Sequence, residues 1–291
     1  MNKGGIMNKG KCYLDSIIKS NVIIGEEVSI GKNVVISDNT IIGNNVIIED
    51  GVFIDYGVII KDNVHIKKNS FIGARCILGE YLVDFFDNYL NKKHPLIIGE
   101  NSIIRSQCII YGECLIGYNF QSGHNVTIRE GSKIGNNVRI GTNGDIQDKV
   151  IIGNYVNIHS DVFISAKNQV KDYVWIFPRV LFTNDPTPPS ADMVGSIVES
   201  FASIGAGAII LPGTKVEGDT LIAAGTIVKG RIESGFVYAG NPCRKIKRIE
   251  DVKSKVTEKN IYPWRESFER GMPWEGIGYN KWIEEYKNNE E

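Results

Sequence analysis

Residues 36–66 read ISDNTI-IGNNVI-IEDGVF-IDYGVI-IKDNVH-I, a run of hexads opened by Ile36, Ile42, Ile48, Ile54, Ile60 and Ile66. Four residues after each opening anchor comes a second, smaller residue: Thr40, Val46, Val52, Val58, Val64 and then Ser70. Gly, Asn, Asp and Lys fill most of the space between. A period of six fits neither the 3.6-residue turn of an α-helix nor the two-residue alternation of a lone strand. It fits short strands joined by tight turns, three strands closing a triangular coil of about eighteen residues. β-branched side chains pack well in stacked strands. Asn and Gly suit the corners because they tolerate positive φ.

Working outward, the period extends back to Ile18 and forward to Leu78, resumes at Ile98 and runs to Ile176, and returns from Val198 to Val228. The expectation is an all-β solenoid of about ten coils, ~50 Å long at ~4.8 Å per coil. It places an N-terminal cap at residues 1–17, the solenoid at 18–233 with insertions at 79–97 and 183–197, and a tail at 234–291. The tail departs from the repeat and reads as a short helix plus an irregular cap.

Composition narrows the partners. Lys+Arg number 33 and Asp+Glu 34, so the chain lacks the excess positive charge that phosphate neutralisation needs. No apolar run approaches the ~18–20 residues of a membrane span. The start, MNKGGIMNKGK, has no apolar signal-peptide core. The expectation is a cytoplasmic protein that engages neither nucleic acid nor membrane. Cys12, Cys76, Cys108, Cys114 and Cys243 are an odd set without a CxxC, so neither a disulfide framework nor a zinc knuckle is indicated.

The hexad, [Leu/Ile/Val]-Gly-x-x-[small]-x, resembles that of the left-handed parallel β-helix, or hexapeptide-repeat, acyltransferases, and the resemblance covers residues 18–233. The left hand is implied by the resemblance alone, since parallel crossovers are normally right-handed. The aromatic insertion, the segments FQSGHNVTIRE and IFPRVLFTNDPTPPS, and the tail YPWRESFERGMPWEGIGYNKW are most similar to N-acetyltransferases acting on dTDP-3-amino-3,6-dideoxyhexoses. The resemblance implies acetyl-CoA as co-substrate, no metal, a homotrimer with sites between subunits, and a dTDP-amino sugar as acceptor.

The breaks in the repeat are where chemistry is expected. The first insertion interleaves Tyr81, Phe85, Phe86 and Tyr89 with Asp84 and Asp87. It reads either as a loop that stacks a nucleotide base, with Asp84, Phe85 and Tyr89 as contacts, or as a shield or oligomer contact. At position 122 an aliphatic is due and Ser122 stands instead, followed by Gly123-His124. An outward His at a corner is often only solvated. The resemblance makes His124 a general base. An imidazole, with its ordinary pKa near 6.5, can accept the proton that an amine must lose before attack.

Adding eighteen residues to His124 gives Thr142 and Ser160, and the adjacent column reads Asn125, Asn143, Asp161. His124, Asn143, Ser160 and Asp161 should therefore share a corner, either as a site for hydroxyls and an amine or as a solvated polar ladder. Ser160 stands where close relatives are expected to carry Asn. Arg105 and Glu130 are further substrate candidates, although Glu130 and His159 are expected to face other directions. For the cofactor, the candidates are Asn184 in the second insertion, Ala206, Ala208 and Ala224 along a slim pantetheine path, Lys229, and Arg244 and Lys245 beside the GNP segment at residues 240–242. The basic cluster serves either a polyanion or only a cap. The rival readings are an O-acetyltransferase for a sugar or serine hydroxyl, a γ-carbonic-anhydrase-like zinc enzyme needing three meeting His, and a non-catalytic scaffold.

Overall fold

A computed structural model describes residues 15–83 and 94–290. Among these residues the chain winds through three parallel sheets, two of eleven strands and one of thirteen. Successive strands go to successive sheets, and each pairs with the strand three further on. In register this joins Ile18 to Ile36, Ile54 to Ile72, and Ile140 to Ile158. The result is the expected all-β parallel β-helix with the left-handed hexapeptide-repeat architecture. Its described coils number eleven and a further side, rather than ten. The strand Phe236–Ala239 stacks parallel on Leu221–Ile222, and Arg244–Arg248 then turns back antiparallel along it.

Both repeating positions of the hexad face inward. The anchors from Ile36 to Ile232 and the smaller residues from Val28 to Ala208 form one buried column. Only the end is less covered: Ile18, Ile24 and Ile30 are partly buried, being the first anchors on each side among the described residues. Each buried aliphatic side chain contributes ~1.5–3 kcal/mol, which offsets the entropy of ordering the coils. Hydroxyls that replace aliphatics inside are satisfied locally. Thr40 donates to the Ser37 carbonyl (2.9 Å) and Ser102 to that of Gly99 (2.7 Å).

The corners have a left-handed backbone, as the Asn and Gly content implies. Asn33, Asn39, Asn45, Asn63 and Asn69 all have φ between 56° and 61° or close to it, Asn45 being lowest at 53°. Many corners are tied to the next coil by a side-chain acceptor: the Lys32 N–H donates to Asp50 (2.6 Å) and the Asn44 N–H to Asp62 (2.7 Å).

The tail is more ordered than a short helix and an irregular cap. It holds a 3₁₀ turn at Ile249–Asp251, helix α1 at Trp264–Ser267 and helix α2 at Tyr279–Glu290. Trp264, Met272 and Trp274 form its own small core, packed on Tyr155, Tyr173, Trp175 and Phe201 of the solenoid. No helix among the described residues is long and apolar enough to cross a membrane.

Candidate active site

On the outer face of the first sheet lies a depression of about 480 Å³. It is lined by outward residues of successive coils, among them Arg105, Arg139, Asn157 and Trp175, and by His124, His159 and Ser160 at its edge. Arg270 of the tail closes one side. A roomier depression of about 630 Å³ runs along the third sheet past Ile97, Leu115, Tyr118 and Lys133. Its lining mixes aliphatic and glycine positions with Lys67, Glu100 and Lys133 and holds no histidine, so the smaller one, which gathers His124 and His159, is the candidate site.

Ser122 shows how the core tolerates a break. Its side chain is buried, and its Oγ accepts the Arg105 backbone N–H at 2.9 Å. In the regular coils that N–H bonds the next coil's anchor carbonyl, as Gly141 does to Ile158 (2.7 Å). The freed Ser122 carbonyl accepts instead from Arg105 Nη1 at 2.8 Å. The polar anchor therefore satisfies itself and also pins the Arg105 side chain along the face. Gly123, next in the chain, has no room for a side chain: a Cβ there would come within 2.3 Å of the Thr142 nitrogen. That close approach sets His124 outward on the corner, exposed, with its N–H 3.4 Å from Thr142 Oγ1.

The register carries this corner along the column. Ser122, Ile140, Ile158, Ile176, Ile204 and Ile222 pair in succession. Two residues beyond each stand His124, Thr142, Ser160, Pro178, Ala206 and Ala224. One edge thus joins the candidate base to two of the candidate cofactor contacts, four and five coils away, or ~19 and ~24 Å. One residue further stand Asn125, Asn143 and Asp161, at φ of 55°, 58° and 58°. They form a hydrogen-bonded ladder, Asn125 to Asn143 at 3.4 Å and Asn143 Nδ2 to Asp161 Oδ1 at 3.0 Å. Asn143 and Asp161 stand beside the depression, while Ser160 and Arg105 line it.

Three expectations need correction. His159 does not face away: it lines the same depression as His124, its ring stacked on Phe177 at 5.0 Å and 14°. Burial lowers its pKa from the usual histidine value. Ala208 is fully buried, because it is the fourth residue after the anchor Ile204 and so faces the core; nothing can lie along its side chain. Glu130 is taken up by Arg129 through contacts of 2.7 and 3.0 Å and is not part of the depression.

The other cofactor candidates are spread along the lower coils. Ala206, Ala224 and Lys229 are exposed. Asn184 is half-buried and donates to the Ala166 carbonyl (3.4 Å). Arg244 and Lys245 lie on the returning strand, Lys245 paired with Glu233 at 2.6 Å and set over the Phe236 ring at 4.1 Å. Asp84, Phe85 and Tyr89 lie outside the described residues. Sequence reasoning missed Arg139 and Arg270. Coil arithmetic from Gln121 leads to Arg139, but Arg270 comes from the non-periodic tail, for which no such arithmetic exists. Among the described residues no three His, Cys, Asp or Glu side chains are grouped to hold a metal.

Residues 21–56 match the bacterial transferase hexapeptide family (six repeats). The chain is 43% identical over 74 residues to a 2,3,4,5-tetrahydropyridine-2,6-dicarboxylate N-acetyltransferase of Staphylococcus aureus (strain Newman), a match covering 25% of this chain and 29% of that protein. It is 37% identical over 78 residues to the mitochondrial gamma carbonic anhydrase 2 of Arabidopsis thaliana, covering 26% and 28%. The match thus spans under a third of the length of these curated relatives. Among solved structures, a UDP-N-acetylglucosamine acyltransferase of Bacteroides fragilis aligns over 80% of this chain and 73% of its own, at 18% identity and a TM-score of 0.39. The class is therefore set by the coils themselves: a hexapeptide-repeat β-helix.

Proposed function

We propose that this protein is an acetyl-CoA-dependent N-acetyltransferase that acetylates the amino group of a dTDP-linked 3-amino-3,6-dideoxyhexose. The observation that carries the reading is His124: an exposed imidazole on a Gly-His corner, at the edge of a depression, where the hexad's core rule is broken. The partial likeness to an enzyme named for N-acetyl transfer supports the chemistry. The subfamily features of the sequence support the acceptor. A homotrimer with sites between subunits, and a cytoplasmic location, belong to the same proposal.

In this reading the acceptor amine attacks the thioester carbon and forms a C–N bond. His124 takes the amine proton, and negative charge gathers on the thioester oxygen, where turn N–H groups can stabilise it. Collapse breaks the C–S bond, and the proton passes from His124 to the departing CoA thiolate. Ser160, with Asn143 and Asp161 beside it, orients the acceptor. The pantetheine arm follows the corner past Ala206 and Ala224, with Asn184, Lys229, Arg244 and Lys245 toward the far end. The test is CoA thiol release from acetyl-CoA with a panel of dTDP- and UDP-linked amino sugars and their hydroxyl counterparts. Turnover confined to the dTDP-3-amino sugars is the expected result. Turnover only with hydroxyl acceptors overturns the reading in favour of an O-acetyltransferase.

The likeness to a carbonic anhydrase, with two His on one depression, raises a zinc reading. Catalytic zinc takes three protein ligands, and the described residues of the chain bring only the pair His124 and His159 to this depression. Metal analysis of the purified protein tests it.

A further inference from the structure

The depression holds more positive charge than an acetyl transfer to an amine requires. Arg105, Arg139 and Arg270 line it together with His124 and His159, and no carboxylate does. Among the described residues no ion pair joins Arg139 or Arg270 to a carboxylate, whereas other cations on this protein are paired, as Lys215 is with Glu199 and Arg231 with Glu217. Two carboxylates that flank Arg270 in sequence are engaged by backbone: Glu269 accepts the Gly276 N–H (3.3 Å) and Glu275 the Gly271 N–H (2.8 Å). The tail and the solenoid meet here, because Gly271 lies against the Arg139 guanidinium, where a Cβ would sit 3.4 Å from Nη2.

The shape is as telling as the charge. From the coil of Arg105 to that of Trp175 the depression crosses five coils, ~19 Å at ~4.8 Å each. Its cations are distributed along that length: Arg105 by the Ser122 carbonyl, Arg139 two coils on, and Arg270 reaching in from the tail. Guanidinium groups suit phosphate oxygens because their planar N–H forks bind two oxygens at once. An elongated groove with separated guanidiniums and no carboxylate fits a molecule with a diphosphate within its length.

We propose that Arg139 and Arg270, assisted by Arg105, bind the diphosphate of the acceptor, so that the C-terminal tail is part of the acceptor site as well as a cap. The inference rests on the acyltransferase reading and extends it, by assigning the phosphate contacts to specific residues. CoA carries a diphosphate too. However, the edge assigned to its pantetheine arm passes the coil of Arg139 at Thr142 and continues to Ala206 and Ala224, so in that reading the CoA diphosphate falls toward Lys229, Arg244 and Lys245.

The probe is inorganic pyrophosphate, titrated calorimetrically into the full chain, with dTDP and CoA titrated separately. Arg139→Gln and Arg270→Gln are each expected to weaken pyrophosphate and dTDP binding about tenfold or more, the usual scale for losing a charge-assisted contact. CoA affinity is expected to stay within about twofold. Arg270→Lys, which keeps charge and loses the fork, should fall between. Lys32→Gln, in the first coils, controls for bulk charge, and circular dichroism confirms folding. Equal binding by wild type and both Gln variants, or no pyrophosphate binding at all, overturns the proposal. Loss of CoA affinity in the same variants also overturns it, since it assigns these residues to the donor. None of these titrations needs turnover, so this inference and the acyl-transfer reading, tested by thiol release, can fail separately.

Discussion

The first sheet is bounded by two corners that have the same backbone and opposite chemistry. On one side run Asn125, Asn143 and Asp161, a polar ladder next to His124. On the other run Asn119, Asn137, Tyr155, Tyr173, Phe201 and Asp219, with φ between 50° and 66° throughout. This second column begins as an Asn ladder, Asn119 to Asn137 at 2.9 Å, and becomes an aromatic stack, Tyr155 on Tyr173 at 5.4 Å and Tyr173 on Phe201 at 4.8 Å. Left-handed backbone is costly for large side chains, yet three aromatics accept it in succession. The compensation is the tail, whose Trp264, Trp274 and Trp282 pack on them. At the end of the column Arg265 pairs with Asp219 and lies over the Phe201 ring at 4.7 Å. The solenoid thus fixes where a corner goes and leaves open what it does. One corner stays wet and holds the candidate base, while the other recruits the tail, which brings Arg270 over the same sheet.

The strongest way to break the comparison is to remove the aromatic side's central partner. Trp274 is fully buried, within 5.1–6.4 Å of Tyr173, Phe201, Trp264, Tyr279 and Trp282. Trp274→Ala is expected to cost the tail ~3–5 kcal/mol. Hydrogen exchange should then show residues 252–282 losing protection while the coils from Ile104 to Ile176 keep theirs. Simultaneous loss in both would mean that the aromatic corner supports the solenoid as well as the tail. The next effect is on the polar side. His124→Asn is expected to lower kcat/KM with the amino-sugar acceptor by an amount within or below the ~10²–10⁴-fold range for losing a general base. An amine sheds its proton more readily as pH rises, so much of the loss should be recovered near pH 9. A complete loss that high pH does not restore counts against His124 as a base for an amine.

How much of this was legible follows from where the period holds. The hexads placed the inward positions, the left-handed corners and the columns. They even predict that Ala208 is buried, and a pantetheine contact there ignored the repeat's own rule. The inward Ser122 was visible as a break, but not its consequence. That it diverts the Arg105 N–H and binds the Arg105 guanidinium depends on where two adjacent coils place their atoms. His159 was misjudged because it stands one residue before the His124 column. On a corner, one position turns a side chain from the edge toward the sheet face, where Phe177 and Trp175 receive it. The tail was least legible. Its helices are short, and the aromatic spacing that holds it belongs to the solenoid's period rather than to its own sequence.

Smaller changes sharpen the same contrast. Asn143 accepts from Asn125 and donates to Asp161 while holding φ at 58°. Asn143→Ala should destabilise by about 1 kcal/mol, because Ala resists that backbone conformation and the ladder loses both bonds. Asn143→Gly restores the conformation alone, so the gap between the two variants in urea midpoint separates strain from hydrogen bonding. If the two variants match, the ladder rather than the backbone holds the polar corner.

The smallest expected effect concerns His159, whose pKa burial holds below the ordinary histidine value. The folded state therefore binds fewer protons than the unfolded chain once pH drops toward ~6.5. The stability that this neutral ring contributes is fully present above ~6.5 and is lost as pH falls through the depressed folded value. His159→Gln removes the titration, so the variant's urea midpoint should fall less than the wild type's between pH 7.5 and 5.5. Parallel decline in both proteins would show that the ring stacked on Phe177 accepts its proton without disturbing the face, and that the acid sensitivity of this sheet lies elsewhere.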